Sequence, residues 1–291
     1  MLPRLSDYHI FQGNPSQLVP SPDFTLYELS TQLFTDYAEK QRLIKIPFGQ
    51  VINPIDNKLP DFPSGTLLVK TFYYYHNNQD TSKGKQLIET RLLIKSESGW
   101  SVGTYLWNEQ QTDADLITSG LDKHITWTND KGVARTINYH VPANKECTTC
   151  HQSQNAIIPI GPKMRNLNIA VERNGASINQ LDYFNQLNLM DNANPSSFNA
   201  LPDWKNTSHT LEERIRAYFD VNCAHCHNAG GFASDKNIHL SFEVPLEDSR
   251  ITHKRSSITN KFESGAMPKL GTTIVDEEAL ALIKEYMRSL N

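Results

Sequence analysis

Cysteine is scarce in this 291-residue chain: there are four, all inside two Cys-x-x-Cys-His strings, Cys147/Cys150/His151 and Cys223/Cys226/His227. None is left for a disulfide framework. The chain also lacks any uninterrupted apolar run near the roughly 18 residues a membrane-crossing helix needs, so no span is expected. Met1 to Gln12 holds Arg4 and Asp7 and no apolar core of the kind a signal peptide carries. There is no Lys/Arg block, and the formal net charge is −4. Nucleic acid and anionic membrane surfaces are therefore poor candidates as main partners. No phosphate-cradling glycine loop, Ser/His/Asp set or paired carboxylates stand out from the background.

What is present suits a folded protein. Hydrophobic residues make up 38% and charged residues 21%, an ordinary globular composition, and the length suggests two domains. Residues 1–24, with Pro3, Pro15, Pro20 and Pro22, read as an extended leader lying over the surface. Thr25 to Gln41 spaces Leu26, Leu29, Leu33, Phe34 and Tyr37 as an amphipathic helix would. Apolar, β-branched and aromatic runs at 66–76, 86–95, 100–108, 122–128 and 133–141 predict strands. Turns at 96–99 and 129–132, each ending in Gly, would join neighbouring strands into an antiparallel meander. A short helix around 146–152 and another over 176–190 follow. Residues 191–209 have linker composition, which gives a β-rich domain at 25–190 and a helical domain at 210–291. Thr210 and Glu213 fit a capping box, and Asp276, Glu277 and Glu278 suit the N-terminus of a last helix.

The two strings carry the chemistry. Two thiols one helical turn apart can both reach the vinyl groups on one porphyrin edge, and the following His can bind the iron. The expectation is two covalently bound haem c groups, on Cys147/Cys150 with His151 and on Cys223/Cys226 with His227. A zinc site built from the two Cys pairs is the competing reading. Against it, residues 151–222 separate the pairs, where zinc ribbons have about fifteen to twenty residues, and a His follows both. A thioredoxin-like reading would need a βαβ context that the pattern lacks. Haem is attached outside the cytoplasm, so a periplasmic or other extracytoplasmic location is expected, with an export signal or lipoprotein anchor already removed.

Residues 210–291 resemble the class I cytochrome c domain, through LEERIRAYFDVN running into CAHCHNAGG, then MPKLG at 267–271 and a final helix DEEALALIKEYMRSL. The resemblance implies an all-α fold with His227 and Met267 as axial ligands. A thioether ligand independently suits a high-potential electron carrier. His225 reads as an exposed spacer, and His239 and His253 as surface residues. Residues 60–151 resemble the β-sheet cytochromes of the cytochrome c-prime-beta superfamily, some of which cross-link a lysine to haem. That resemblance draws attention to Lys70, otherwise an exposed strand lysine. It completes an α+β fold class: an N-terminal antiparallel β-sheet haem domain followed by the all-α domain.

The sixth ligand of the first haem is open between Met164 and His140, with His124 behind them. Lys163, Arg165 and Arg173 are candidate partners for haem propionates. The expected role is one-electron transfer with a redox partner protein. The alternative is an oxidoreductase or small-ligand binder, whose first haem keeps an open position served by the second.

Overall fold

The computed structural model describes residues 1–290 and has an antiparallel sheet region in the N-terminal part and helices in the C-terminal part. The chain divides into two compact units. The first comprises Met1–Tyr27, Thr35–Gln50 and Phe62–Thr148; the second comprises Glu28–Phe34, Val51–Asp61 and the chain from Thr149 onward. The division falls between Thr148 and Thr149 rather than at 191–209, where Leu201 and Trp204 are buried and Trp204 stands edge-on to Tyr218.

In the first unit, β1 (Thr25–Leu26), β2 (Glu39–Lys45), β3 (Leu67–Tyr75), β4 (Lys85–Ser96), β5 (Gly99–Trp107) and β6 (Ala114–Ile117) form one antiparallel sheet in chain order. The hairpin of β7 (Leu121–Thr128) and β8 (Ala134–Val141) pairs separately. Because side chains alternate across a strand, one sheet face collects Leu43, Val69, Leu92 and Tyr105 into an apolar core. Leu5, Ile10, Leu18 and Phe24 join that core, so residues 1–24 are not a surface leader. Each such burial is worth roughly 1.5–3 kcal/mol over exposure. Arg4 pairs with Asp113 at 2.7 Å, and Ser6 donates to the same carboxylate from both its N–H and its hydroxyl.

The expected helix at 25–41 is absent. Its apolar spacing fits a helix, but its backbone donors are claimed elsewhere. Within the second unit Ser30 N–H donates to the Asn166 carbonyl, Thr31 N–H to Asn166 Oδ1 and Phe34 N–H to Asn222 Oδ1. Asp36 and Tyr37 then take positive φ, which a helix cannot contain. The strands expected from 66 to 141 are all present as β3, β4, β5, β7 and β8, with both turns where glycine places them.

The helix α1 (Asn144–His151) carries the first string. It leads into the short hairpin of β9 (Gln152–Ser153) and β10 (Ala156–Ile157), then α2 (Met164–Leu167). The helix expected at 176–190 is shortened. Asn174 and Gly175 both adopt positive φ and turn β11 (Ala170–Arg173) into β12 (Ala176–Asn179), so α3 begins only at Gln180 (Gln180–Gln186). The rest is helical: α4 (Leu211–Asn222), α5 (Leu246–Ser249), α6 (Ile251–Glu263) and α7 (Glu277–Ser289). Thr210 and Glu213 form the capping box in full, and Asp276 caps α7 by accepting from Ala279 N–H. Helices α4, α6 and α7 close a core around Ile215, Tyr218, Phe219, Phe262, Ile283 and Tyr286.

Candidate haem-binding site

His151 closes α1, and its Nδ1 donates to the carbonyl of Ile158 at 2.7 Å while Ile158 N–H returns a bond to the His151 carbonyl at 2.8 Å. The intervening turn is possible because Gln154 and Asn155 both accept positive φ, as a two-residue hairpin requires. Because its partner is a carbonyl, Nδ1 carries the proton, the tautomer in which metal-binding imidazoles are commonly held. This chain's residues therefore fit a proximal iron ligand at His151.

The second string follows α4. Cys223 ends the helix by donating its N–H to the Phe219 carbonyl, and His227 N–H donates to the Cys223 carbonyl at 3.0 Å. Gly231 packs so closely that a Cβ would lie 2.5 Å from the Cys226 carbonyl oxygen, so only glycine fits after this string. Burial lowers the pKa of His227, with His225 adding to the effect. The neutral form that iron needs is thereby favoured. Burial pushes the Cys223 thiol up to about 12.

The two strings meet in the second unit. Donor atoms of Cys150, His225 and Cys226 lie within 4.8 Å of one another. The Cys150 thiol is held well above its ordinary value first by its hydrogen bond to Cys226 and then by burial, and the same bond lowers Cys226. His225 is thus not an exposed spacer: it is half-buried, and its Nδ1 is enclosed without a hydrogen-bond partner. A second brace joins Gln154 N–H, in the hairpin after the first string, to the Gly230 carbonyl after the second, at 3.0 Å. Cys223, in the same unit, stands outside this donor group, so it does not complete a zinc site with Cys150 and Cys226 among the described residues. Beside the junction lies a cavity of about 440 Å³ lined by Cys150, Ile158, Pro159, Lys163, Asp220 and His225.

Cys147 belongs to the first unit. It is 5% exposed, and its Sγ lies 3.5 Å from Thr104 Oγ1 on β5. Near it Glu89 is fully buried, held by Arg91 at 2.5 and 2.9 Å and by the Tyr139 hydroxyl at 2.6 Å. Lys70, expected to be exposed, is half-buried over the Phe72 ring.

The remaining expected residues sort by what engages them. His140 has both ring nitrogens in carboxylate contacts, to Asp122 at 2.7 Å and to Glu146 at 3.0 Å. His124 is exposed beside Asn138. Met164 is wholly buried at the start of α2. Met267 is half-buried in the loop between α6 and α7, its N–H bonded to the Lys261 carbonyl. The suggested propionate partners are paired within the protein: Lys163 with Asp220, Arg165 with Glu243 and Arg173 with Glu28. His239 is half-buried and His253 exposed.

Residues 210–287 match the family model described as cytochrome C oxidase, cbb3-type, subunit III. This part of the chain is a cytochrome c domain. The cytochrome c domain spans α4, the second string, α6 and most of α7, and it implies a covalently bound haem c and a redox partner. No curated protein and no solved structure matches the chain. No helix among the described residues is long and apolar enough to cross a membrane.

Proposed function

We propose that the chain is a di-haem c-type cytochrome that moves single electrons outside the cytoplasm. Cys147 and Cys150, with His151, would hold one haem, and Cys223 and Cys226, with His227, would hold the other. When bound, the groups supply reversible one-electron chemistry at iron. The chain's own residues hold and orient them. Met267 would supply a thioether to the iron of the cytochrome c domain. At the first haem Met164 is favoured over His140, whose two nitrogens are engaged by carboxylates.

The observation that carries this reading is the contact of Cys150 with Cys226 inside a group of donors within 4.8 Å. Each sulfur would bear one porphyrin edge, so two edges would adjoin and electrons could pass between them. A carrier delivering electrons to a separate redox partner protein needs such a relay and no catalytic constellation.

The test is the intact protein, exported from a host able to attach haem c. Mass spectrometry should give the polypeptide plus two haem groups, and the haem-to-protein ratio from pyridine haemochrome spectra should be two. One haem would leave only the cytochrome c domain of the reading standing, and none would refute it. The cavity beside Cys150 favours a second reading, in which a small molecule binds at the first haem. Carbon monoxide binding to the reduced protein, with a high-spin centre by EPR, would select that reading.

A further inference from the structure

The loop after the second string brings an aromatic ring to the surface. Phe232 is 56% exposed, more than any other large apolar side chain of the second unit. A ring left in water forgoes roughly 1.5–3 kcal/mol of burial. Its loop is firmly held: Ala233 N–H donates to the Cys226 carbonyl at 3.0 Å, and Gly231 N–H to the Asn228 carbonyl at 3.2 Å. The backbone therefore keeps Phe232 outward beside Cys226. Lys269, two residues past Met267, extends its Nζ over the Phe232 ring, 5.9 Å from the centroid. The loops bearing Cys226 and Met267 thus present an aromatic and a cation together.

Cations continue from this point. Met267 N–H is bonded to the Lys261 carbonyl, and Lys254 lies two turns before Lys261 on the same face of α6. Residues 250–271 hold Arg250, Lys254, Arg255, Lys261 and Lys269 against a single carboxylate, Glu263, which pairs with Lys284. On α5, Glu247 and Asp248 precede Arg250, so the unopposed charge lies toward the Met267 end of α6. Lys254, Lys261 and Lys269 are exposed and make no ion pair among the described residues. In the same unit Lys163, Lys205, Lys236 and Lys284 each meet a carboxylate. The whole chain carries −4, so these lysines run against the sign of the molecule. An apolar centre excludes water at a protein contact, while charges around it steer the encounter.

We propose that Phe232, with Lys269, Lys261 and Lys254, is the docking face for the redox partner protein, which meets it with an apolar spot bordered by carboxylates. Electron transfer weakens steeply with distance, so a partner gains by meeting the loops that hold Cys226 and Met267. The sign of the partner follows from charge complementarity: three lysines without carboxylates of their own attract an acidic surface and repel a basic one. The proposal rests on the cytochrome c domain and its haem and not on the first string, so it stands or falls separately from the di-haem reading.

The experiment follows, by stopped flow, the reduced haem-loaded chain as each of two small oxidants takes one electron from ferrous haem: anionic ferricyanide and cationic tris(phenanthroline)cobalt(III). Net charge alone would make the ferricyanide rate rise with ionic strength; an unopposed cationic face makes it fall, because salt screens the local attraction. A nonaglutamate peptide, standing in for an acidic partner, should slow ferricyanide oxidation, and a second peptide with leucine at its centre should slow it more. Lys261→Glu combined with Lys269→Glu should cut the ferricyanide rate about tenfold at low salt, raise the cobalt rate and remove both peptide effects. A variant that merely misfolds would not reverse the preference between oxidants. Phe232→Ser should abolish the difference between the two peptides. Lys83→Glu, which alters net charge in the same sense, should match the parent. A ferricyanide rate that rises with salt in the parent, charge-reversed variants that behave as the parent, or equal inhibition by the two peptides would overturn the proposal.

Discussion

His151 and Ile158 are joined twice, by Nδ1–H to carbonyl at 2.7 Å and by N–H to carbonyl at 2.8 Å, across a turn whose two central residues both have positive φ. The aim of the His151 imidazole is therefore tied to the backbone of this turn. Asparagine tolerates the left-handed region, while a β-branched residue does not. Asn155→Val should cost about 1–3 kcal/mol in denaturant unfolding and produce a mixed-spin signal at the first haem. An unaltered EPR spectrum would show that this turn does not aim His151.

Met267 offers a direct test of the ligand set in the cytochrome c domain. Met267→Ala should lower the higher of the two midpoint potentials by at least about 59 mV, a tenfold change for a one-electron couple, and remove the sulfur-to-iron charge-transfer absorption. A titration identical to the parent's would assign the ligand elsewhere.

Glu89 is completely enclosed between Arg91 and Tyr139. Breaking a buried pair by removing one partner leaves an uncompensated charge and costs about 3–5 kcal/mol. Glu89→Gln should therefore destabilise the first unit by that amount in urea unfolding. Arg91→Met with Glu89→Gln should recover much of the loss, because both charges then leave together.

His140 gives a pH signature. Its hydrogen bonds to Glu146 and Asp122 raise its pKa above the ordinary value. Its stabilisation is therefore fully present below the unfolded value near 6.5 and is lost as pH rises through the folded value. Glu146 shifts the opposite way: burial pushes its pKa up, and the bonds from His140 and Ala143 N–H more than reverse this. Its contribution appears above the unfolded carboxylate range and fades as pH falls. Stability should thus decline from about pH 6.5 upward, and His140→Gln should flatten that decline. An NMR titration of His140 with a midpoint at or below 6.5 would contradict this.

Much of the fold could be read from residue order because local and tertiary preferences agree there. The strand runs from 66 to 141 are β-branched and aromatic with glycine at their turns, and α4 announces itself through Thr210 and Glu213. Thr25 to Gln41 misled because its helical spacing was real while its N–H groups went to Asn166 and Asn222, residues far along the chain. The hairpin at 170–179 is marked in the sequence by Asn174-Gly175, a strong turn signal. At the haem-binding site both strings were plain, whereas the approach of Cys150 to Cys226 depends on a fold that brings distant loops together.

If Cys147 carries haem as proposed, its place in the fold constrains maturation. Its sulfur is enclosed against Thr104, out of reach of an attaching enzyme once the first unit has closed. Attachment would then begin on an open polypeptide, cofactor first and shape second.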